Sequence, residues 1–90
     1  MKRWLETLVW LLLCASHAAF GLEINQANEA ELDSLKGMGP SLSAKVLKAR
    51  TDSPFKSWAD LMQRVSGVGR AKAKAFSDQG LTVNGQPLKP

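Results

Sequence analysis

Two short stretches, Gly37-Met38-Gly39 and Gly67-Val68-Gly69, are suited to chemistry done by the backbone and not by side chains. Each sets one apolar residue between two glycines and runs directly into a segment that reads as helix. Glycine supplies positive φ at little cost, and such a turn leaves the first amides of the next helix unpaired at the positive end of its dipole. With no side chain in the way, an anion such as a phosphate reaches those amides directly. Met38 and Val68 are expected to tuck between the helices and stiffen the turns. Bases stand close by: Arg70, Lys72 and Lys74 alternate after the second turn, whereas Pro40, Ser41 and Leu42 follow the first, which has no base until Lys45. Arg70, Lys72 and Lys45 are the candidate phosphate contacts, and Ser41 adds a first-turn amide. Arg70 and Lys72 lie roughly 200° apart around a helix, so one ligand does not meet every base. Lys74, Lys48 and Lys36 read better as a solvated face, and Lys89 as an exposed lysine outside the site.

Other chemistries find little to work with. Residues 1–21 have Lys2 and Arg3 at the front, an apolar run from Leu8 to Ala15, and small residues at Ser16, Ala18, Ala19 and Gly21. That is the layout of a secretory signal peptide, with cleavage after Ala18 or Gly21; Glu6 is irregular in it. The apolar run is too short for a membrane span, which needs about 20 residues, so no stable membrane insertion is expected after cleavage. Leu13 stands where a lipid anchor on Cys14 would need a small residue. Cleavage removes Cys14 and His17, the sole cysteine and histidine, and with them disulfides, zinc sites and Cys/His or Ser/His nucleophiles. Glu29, Glu31 and Asp33 invite a metal or acid/base reading, but residues two apart on a helix diverge, and acids suit a helix start. The chain reads as a binding module, not an enzyme, with no cofactor.

The elements that position the turns form a repeat. A shift of 30 residues lays LDSLKGMGPSLSAKV over MQRVSGVGRAKAKAF and pairs Leu32 with Met62, Leu35 with Val65, Ser43 with Ala73 and Val46 with Phe76. With two copies this is an internally duplicated domain and not a solenoid. Asn28 with Glu31, and Ser57 with Asp60, predict capping-box starts for two short helices that Gly37 and Gly67 stop. Pro40 suits the start of a helix running to about Arg50, with Leu42, Val46 and Leu47 inward. Its counterpart runs from Arg70 to about Ser77, with Ala73 and Phe76 inward. Pro54 makes TDSPF a connector. Trp58 and Phe76 belong to the core by their spacing, and Phe55 reads as structural. Charge follows the division: Leu22 to Leu35 has four acids and no base, and from Lys36 onward ten bases face three acids. The net charge of +4 and the pI near 9.6 favour anionic partners.

These residues carry a resemblance. The two units resemble a tandem pair of helix-hairpin-helix motifs, and INQANEAELDSLKGMGPSLSAKVLKARTDSPFKSWADLMQRVSGVG is similar to the DNA-binding domain of the ComEA family of competence proteins. The likeness spans about residues 23 to 79 and includes the INQA opening and the PFKSWADL link. It implies an all-α fold: a small four- to five-helix domain of two helix-hairpin-helix motifs at residues 22–80, following the signal peptide. It further implies a periplasmic receptor that holds double-stranded DNA by its phosphate backbone during natural transformation, with the DNA-uptake machinery as a further partner. By that resemblance the phosphate-facing amides are those of Gly37, Met38, Gly39, Gly67, Val68 and Gly69. Family likeness leaves room for a monovalent cation in the hairpin, for which no side chain here argues. Two hairpins related by a pseudo-twofold would touch both strands across one minor groove, and the base count predicts that the second carries more of the salt-dependent affinity.

Two questions stay open at this level. Paired hairpins also serve as protein-docking modules, and a periplasmic docking module is the alternative to DNA binding. The last ten residues, LTVNGQPLKP, are set apart as a tail at 81–90. Asn84-Gly85 signals a turn, Pro87 opposes a returning strand, and the tail is either a cover over the helices or a mobile end.

Overall fold

The computed structural model describes residues 21–90; the expected signal peptide at 1–21 lies outside them, apart from Gly21. The described chain runs β1 (Leu22–Glu23), α1 (Glu29–Asp33), α2 (Gly39–Asp52), α3 (Trp58–Arg64), α4 (Arg70–Asp78) and β2 (Leu81–Thr82). The fold is the expected small all-α domain, with one addition: β1 and β2 pair in parallel, Leu22 against Leu81 and Glu23 against Thr82.

Local chemistry accounts for the helix limits. Asn28 and Glu31 form a reciprocal capping box on α1: the Glu31 amide donates to Asn28 Oδ1 at 2.8 Å and the Asn28 amide to Glu31 Oε1 at 3.0 Å. The start of α3 keeps half of that device. The Asp60 amide donates to Ser57 Oγ, but the Asp60 carboxylate accepts from the Lys56 amide and pairs with Arg64 at 3.1 Å. Aspartate is a methylene shorter than glutamate, and the arginine one turn on draws its carboxylate. Helix α2 runs to Asp52, two residues past the expected end, because Pro54 constrains only Ser53, which is extended at φ −164°.

Most of the paired anchors converge: Leu32, Leu35, Val46, Val65, Ala73 and Phe76 are buried. Met62, the counterpart of Leu32, is half-buried, and its neighbour Leu61 fills the core instead. Phe55 and Trp58 from the connector and α3 are buried too. Ser43, the counterpart of Ala73, is the buried polar residue; its hydroxyl donates to the Pro40 carbonyl at 3.1 Å. Residues 81–86 prove to be a cover and not a mobile end. Leu81 and Val83 enter the core, so packing continues past the boundary drawn at 80. Asn84 and Gly85, both at positive φ, turn the chain so that Val83 and Gln86 exchange a pair of backbone hydrogen bonds. No strand follows that bridge, in keeping with Pro87.

The Glu23 carboxylate locks this closure. It accepts from the amides of Asn25, Asn84 and Gly85 and from the Thr82 hydroxyl. Burial pushes its pKa up, but the hydrogen bonds outweigh burial and hold it below its ordinary value. Asn25 joins the opening to the connector: its side chain accepts from the Phe55 amide at 2.7 Å and donates to the Phe55 carbonyl at 3.0 Å.

Candidate nucleic-acid interface

Each hairpin is a turn between a short helix and a longer one. Gly37 and Gly67 have φ of +92° and +102° and turn the chain in the left-handed region, but they are not the helix stops the sequence suggests. Helix α1 ends at Asp33 with Ser34 as its cap and α3 at Arg64 with Val65 as its cap, before either glycine is reached. Met38 and Val68, each 3 % exposed, tuck inward as the spacing predicts. Their amides correct one expectation. The Met38 N–H donates to the Leu35 carbonyl and the Val68 N–H to the Val65 carbonyl, both at 3.2 Å. These two amides therefore tighten the turns and are not free to meet an anion.

The free donors lie one step later. The first internal bond of α4 runs from the Ala73 amide to the Gly69 carbonyl at 2.9 Å, so the amides of Arg70, Ala71 and Lys72 precede any partner. Gly69 and Arg70 are exposed, and a Cβ built on Gly69 would meet nothing within 4 Å. Gly39 also faces open space, and Ser41 is exposed beside it in the first turn of α2. Gly39 has φ +67° whereas Gly69 has φ −90°, so the two turns do not share one backbone path.

The repeats brace each other's hairpins. A Cβ on Gly67 would lie 3.3 Å from Leu42 Cδ1, and one on Gly37 would lie 3.6 Å from Phe76 Cε1. Lys72, the counterpart of Leu42, donates to the Gly37 carbonyl at 3.0 Å. The residue before each first glycine is held in the same crossed manner. Gln79 donates to the Lys36 carbonyl and accepts from its amide, and Lys45 Nζ reaches Ser66 Oγ at 3.3 Å. Leu42 and Lys72 thus occupy equivalent places against opposite hairpins, in keeping with the pseudo-twofold that the family resemblance implies.

The structure sorts the bases. Arg70 stands exposed in the first turn of α4. Lys72 and Lys45 reach across to the other repeat, so the first hairpin is not short of a base as its own sequence suggests. Lys74 pairs with Asp78 at 2.9 Å, in keeping with a solvated face. Lys89 is not remote: it lines a cleft with Arg70 and Lys74. Two bases that spacing did not single out are structural. Arg50 donates to the carbonyls of Ile24 and Ala27, and Arg64 to those of Ala49, Ser53 and Pro54 while lying 4.6 Å over the Phe55 ring. Neither role is visible locally, because neither arginine bonds a carbonyl of its own helix: Arg50 reaches the segment before α1, and Arg64 the last turn of α2 and the connector. Asp60 is held below its ordinary pKa first by the Lys56 amide and then by Arg64, the partners of its place at the start of α3.

Glu29 and Glu31 occupy the first turn of α1, and Glu31 is spent on the capping box. No group of three or more metal-ligating side chains converges among the described residues, and none of their helices is long and apolar enough to cross a membrane.

Comparison with known proteins agrees with this geometry. Residues 17–74 match the family described as helix-hairpin-helix motif, which supports nucleic-acid binding in general. No curated protein and no solved structure gives a match. The match covers more than half of the chain and takes in both glycine turns, so the chain belongs to the helix-hairpin-helix family.

Proposed function

We propose that this protein binds double-stranded DNA without regard to sequence, through the open amides of its two hairpins and the bases around them. One observation carries the reading. Gly69 has an ordinary φ and open space where a Cβ would stand, so nothing inside the protein requires a glycine there. A ligand that must approach the backbone closely does require it. The helix start beneath, with free amides at Arg70, Ala71 and Lys72, defines that ligand as an anion.

Phosphates held in this way fix the position of a duplex but report no bases. In the proposed site Gly39, Ser41, Gly69 and Arg70 face phosphate, with Gly37 and Gly67 shaping the turns and Lys45 and Lys72 adding charge. The layout of residues 1–21 and the ComEA-like series further support a receptor role: an exported, periplasmic protein that holds incoming DNA during uptake and passes it to the uptake machinery.

The test is anisotropy of two labelled duplexes of unrelated sequence, titrated with the chain from Leu22 onward at several salt concentrations. Equal affinities that fall together with salt are expected. Gly69→Val, whose side chain suits an extended φ, should weaken both equally while helicity is retained. A folded protein that binds neither duplex at low salt would refute DNA binding and favour the docking module.

A further inference from the structure

We infer that each anion cradle is a composite of both repeats, completed by a lysine from the repeat that does not supply its hairpin. The inference rests on the reading of the hairpins as phosphate sites. Its observations are two crossed contacts: Lys72 Nζ lies 3.0 Å from the Gly37 carbonyl, and Lys45 Nζ lies 3.3 Å from Ser66 Oγ and 3.5 Å from the Ser66 carbonyl. Each lysine departs from a helix of one repeat and ends at the turn of the other.

The chemistry of an ammonium explains what this adds. A lysine has three N–H donors and one positive charge, and both of these lysines are exposed. Lys72 spends a donor on Gly37, and the rest, with the charge, stay available beside hairpin one. The Gly37 carbonyl is an oxygen that an incoming phosphate would otherwise meet as a partial negative charge; the ammonium covers it. Lys45 does the same for Ser66 at hairpin two. The first turn of α2 (Gly39–Asp52) has no base of its own, so Lys72 is the nearest charge that hairpin one receives through an observed contact. Repeat symmetry places Leu42 in the equivalent position against Gly67, so Lys72 marks the point where one repeat carries charge and the other a methyl group.

A double-mutant cycle on duplex binding tests this. Ser41→Glu and Ala71→Glu are equivalent under the 30-residue shift, and both lie exposed in the first turn of a helix. An acid is tolerated there, so each variant places a carboxylate in one cradle while the fold is retained. Lys72→Met and Lys45→Met remove the charges. The protein is titrated with one labelled duplex, and circular dichroism checks folding.

Lys72→Met should couple with Ser41→Glu, 31 residues away, by about threefold or more, and be additive with Ala71→Glu, its immediate neighbour. Lys45→Met should couple with Ala71→Glu and be additive with Ser41→Glu. Each lysine variant alone should lower the salt slope by about one unit, and Lys72→Arg should restore it. Coupling within repeats, or additivity in every pair while the parent protein binds DNA, would overturn the composite cradle. Absence of duplex binding by the parent protein would overturn the reading beneath it, a separate result.

Discussion

The two hairpins share the pattern glycine, apolar residue, glycine, yet their second glycines exist for different reasons. At Gly39 the backbone has φ +67°, which any L side chain resists, so the turn itself demands glycine. At Gly69 the backbone is ordinary at φ −90°, and a side chain would have room. An identical motif can therefore record conformational need in one copy and ligand access in the other. A substitution at Gly39 mixes backbone strain with binding, whereas one at Gly69, the N-cap of α4, adds only the small cost of a poorer cap. The hairpins also differ in how they are held: Phe76 and Lys72 approach Gly37, while Leu42 approaches Gly67.

The largest effect should come from the residue that joins the two regions. Phe76 is 1 % exposed and lies against Gly37 from the other repeat. Phe76→Ala should cost about 3–5 kcal/mol by urea denaturation, a large share of the stability of a domain this size. Amide exchange should show Gly37 and Met38 losing protection although the substitution lies in the second repeat. Loss confined to α4 would mean that the hairpins stand independently.

The first glycines come next. Alanine at Gly37 or Gly67 forces a left-handed φ on a side chain, costing about 1–3 kcal/mol. Gly67→Ala should be the more damaging of the pair, because its Cβ also presses Leu42 at 3.3 Å while that of Gly37→Ala meets Phe76 at ordinary contact. Equal losses in thermal melting would mean that Leu42 yields freely.

Away from both hairpins, Glu23 predicts how the closure responds to acid. Its folded pKa is depressed, so its contribution is present above the ordinary value of 4.5 and is lost as pH falls through the lower folded value. Glu23→Gln should flatten that acid limb and lower stability at neutral pH. An unchanged acid limb would place the sensitivity elsewhere, with Asp60, also depressed, as the next group to remove.

The sequence made the repeat, its turns and most of its anchors legible because each rests on near neighbours: glycine turns, caps, and apolar spacing at helical period. The helix ends before those glycines, at Ser34 and Val65, were not legible. It also pointed to the buried middle residues Met38 and Val68, but not to the fate of their amides. An N–H bonded three residues back looks the same in sequence as a free one. Contacts between distant segments were hidden for a related reason. The pairing of Leu22 with Leu81, the hold of Gln79 on Lys36, and the crossing of Lys45 and Lys72 depend on where α2 and α4 lie in space, and long polar side chains carry no periodic signal. Lys89 was misplaced for the same reason, since nothing local to the tail reveals that it folds back beside α4.

That relocation sets up the finest discrimination between the hairpins. Arg70→Ala should lower duplex affinity equally for unrelated sequences and reduce the salt slope by about one unit, as for one phosphate contact. Lys89→Ala should give a smaller reduction in the same direction, because Lys89 shares the cleft of Arg70 but, unlike Arg70, does not stand at the open start of α4. Lys56→Ala is the reference. Lys56 precedes α3 (Trp58–Arg64), at the end of that helix away from hairpin two, and it borders a groove with Lys89 but not with Arg70. Its removal should leave the slope unchanged. If Lys56→Ala and Arg70→Ala reduced the slope alike, binding would follow the net positive charge of the domain, and the hairpins would lose their claim to be the phosphate sites.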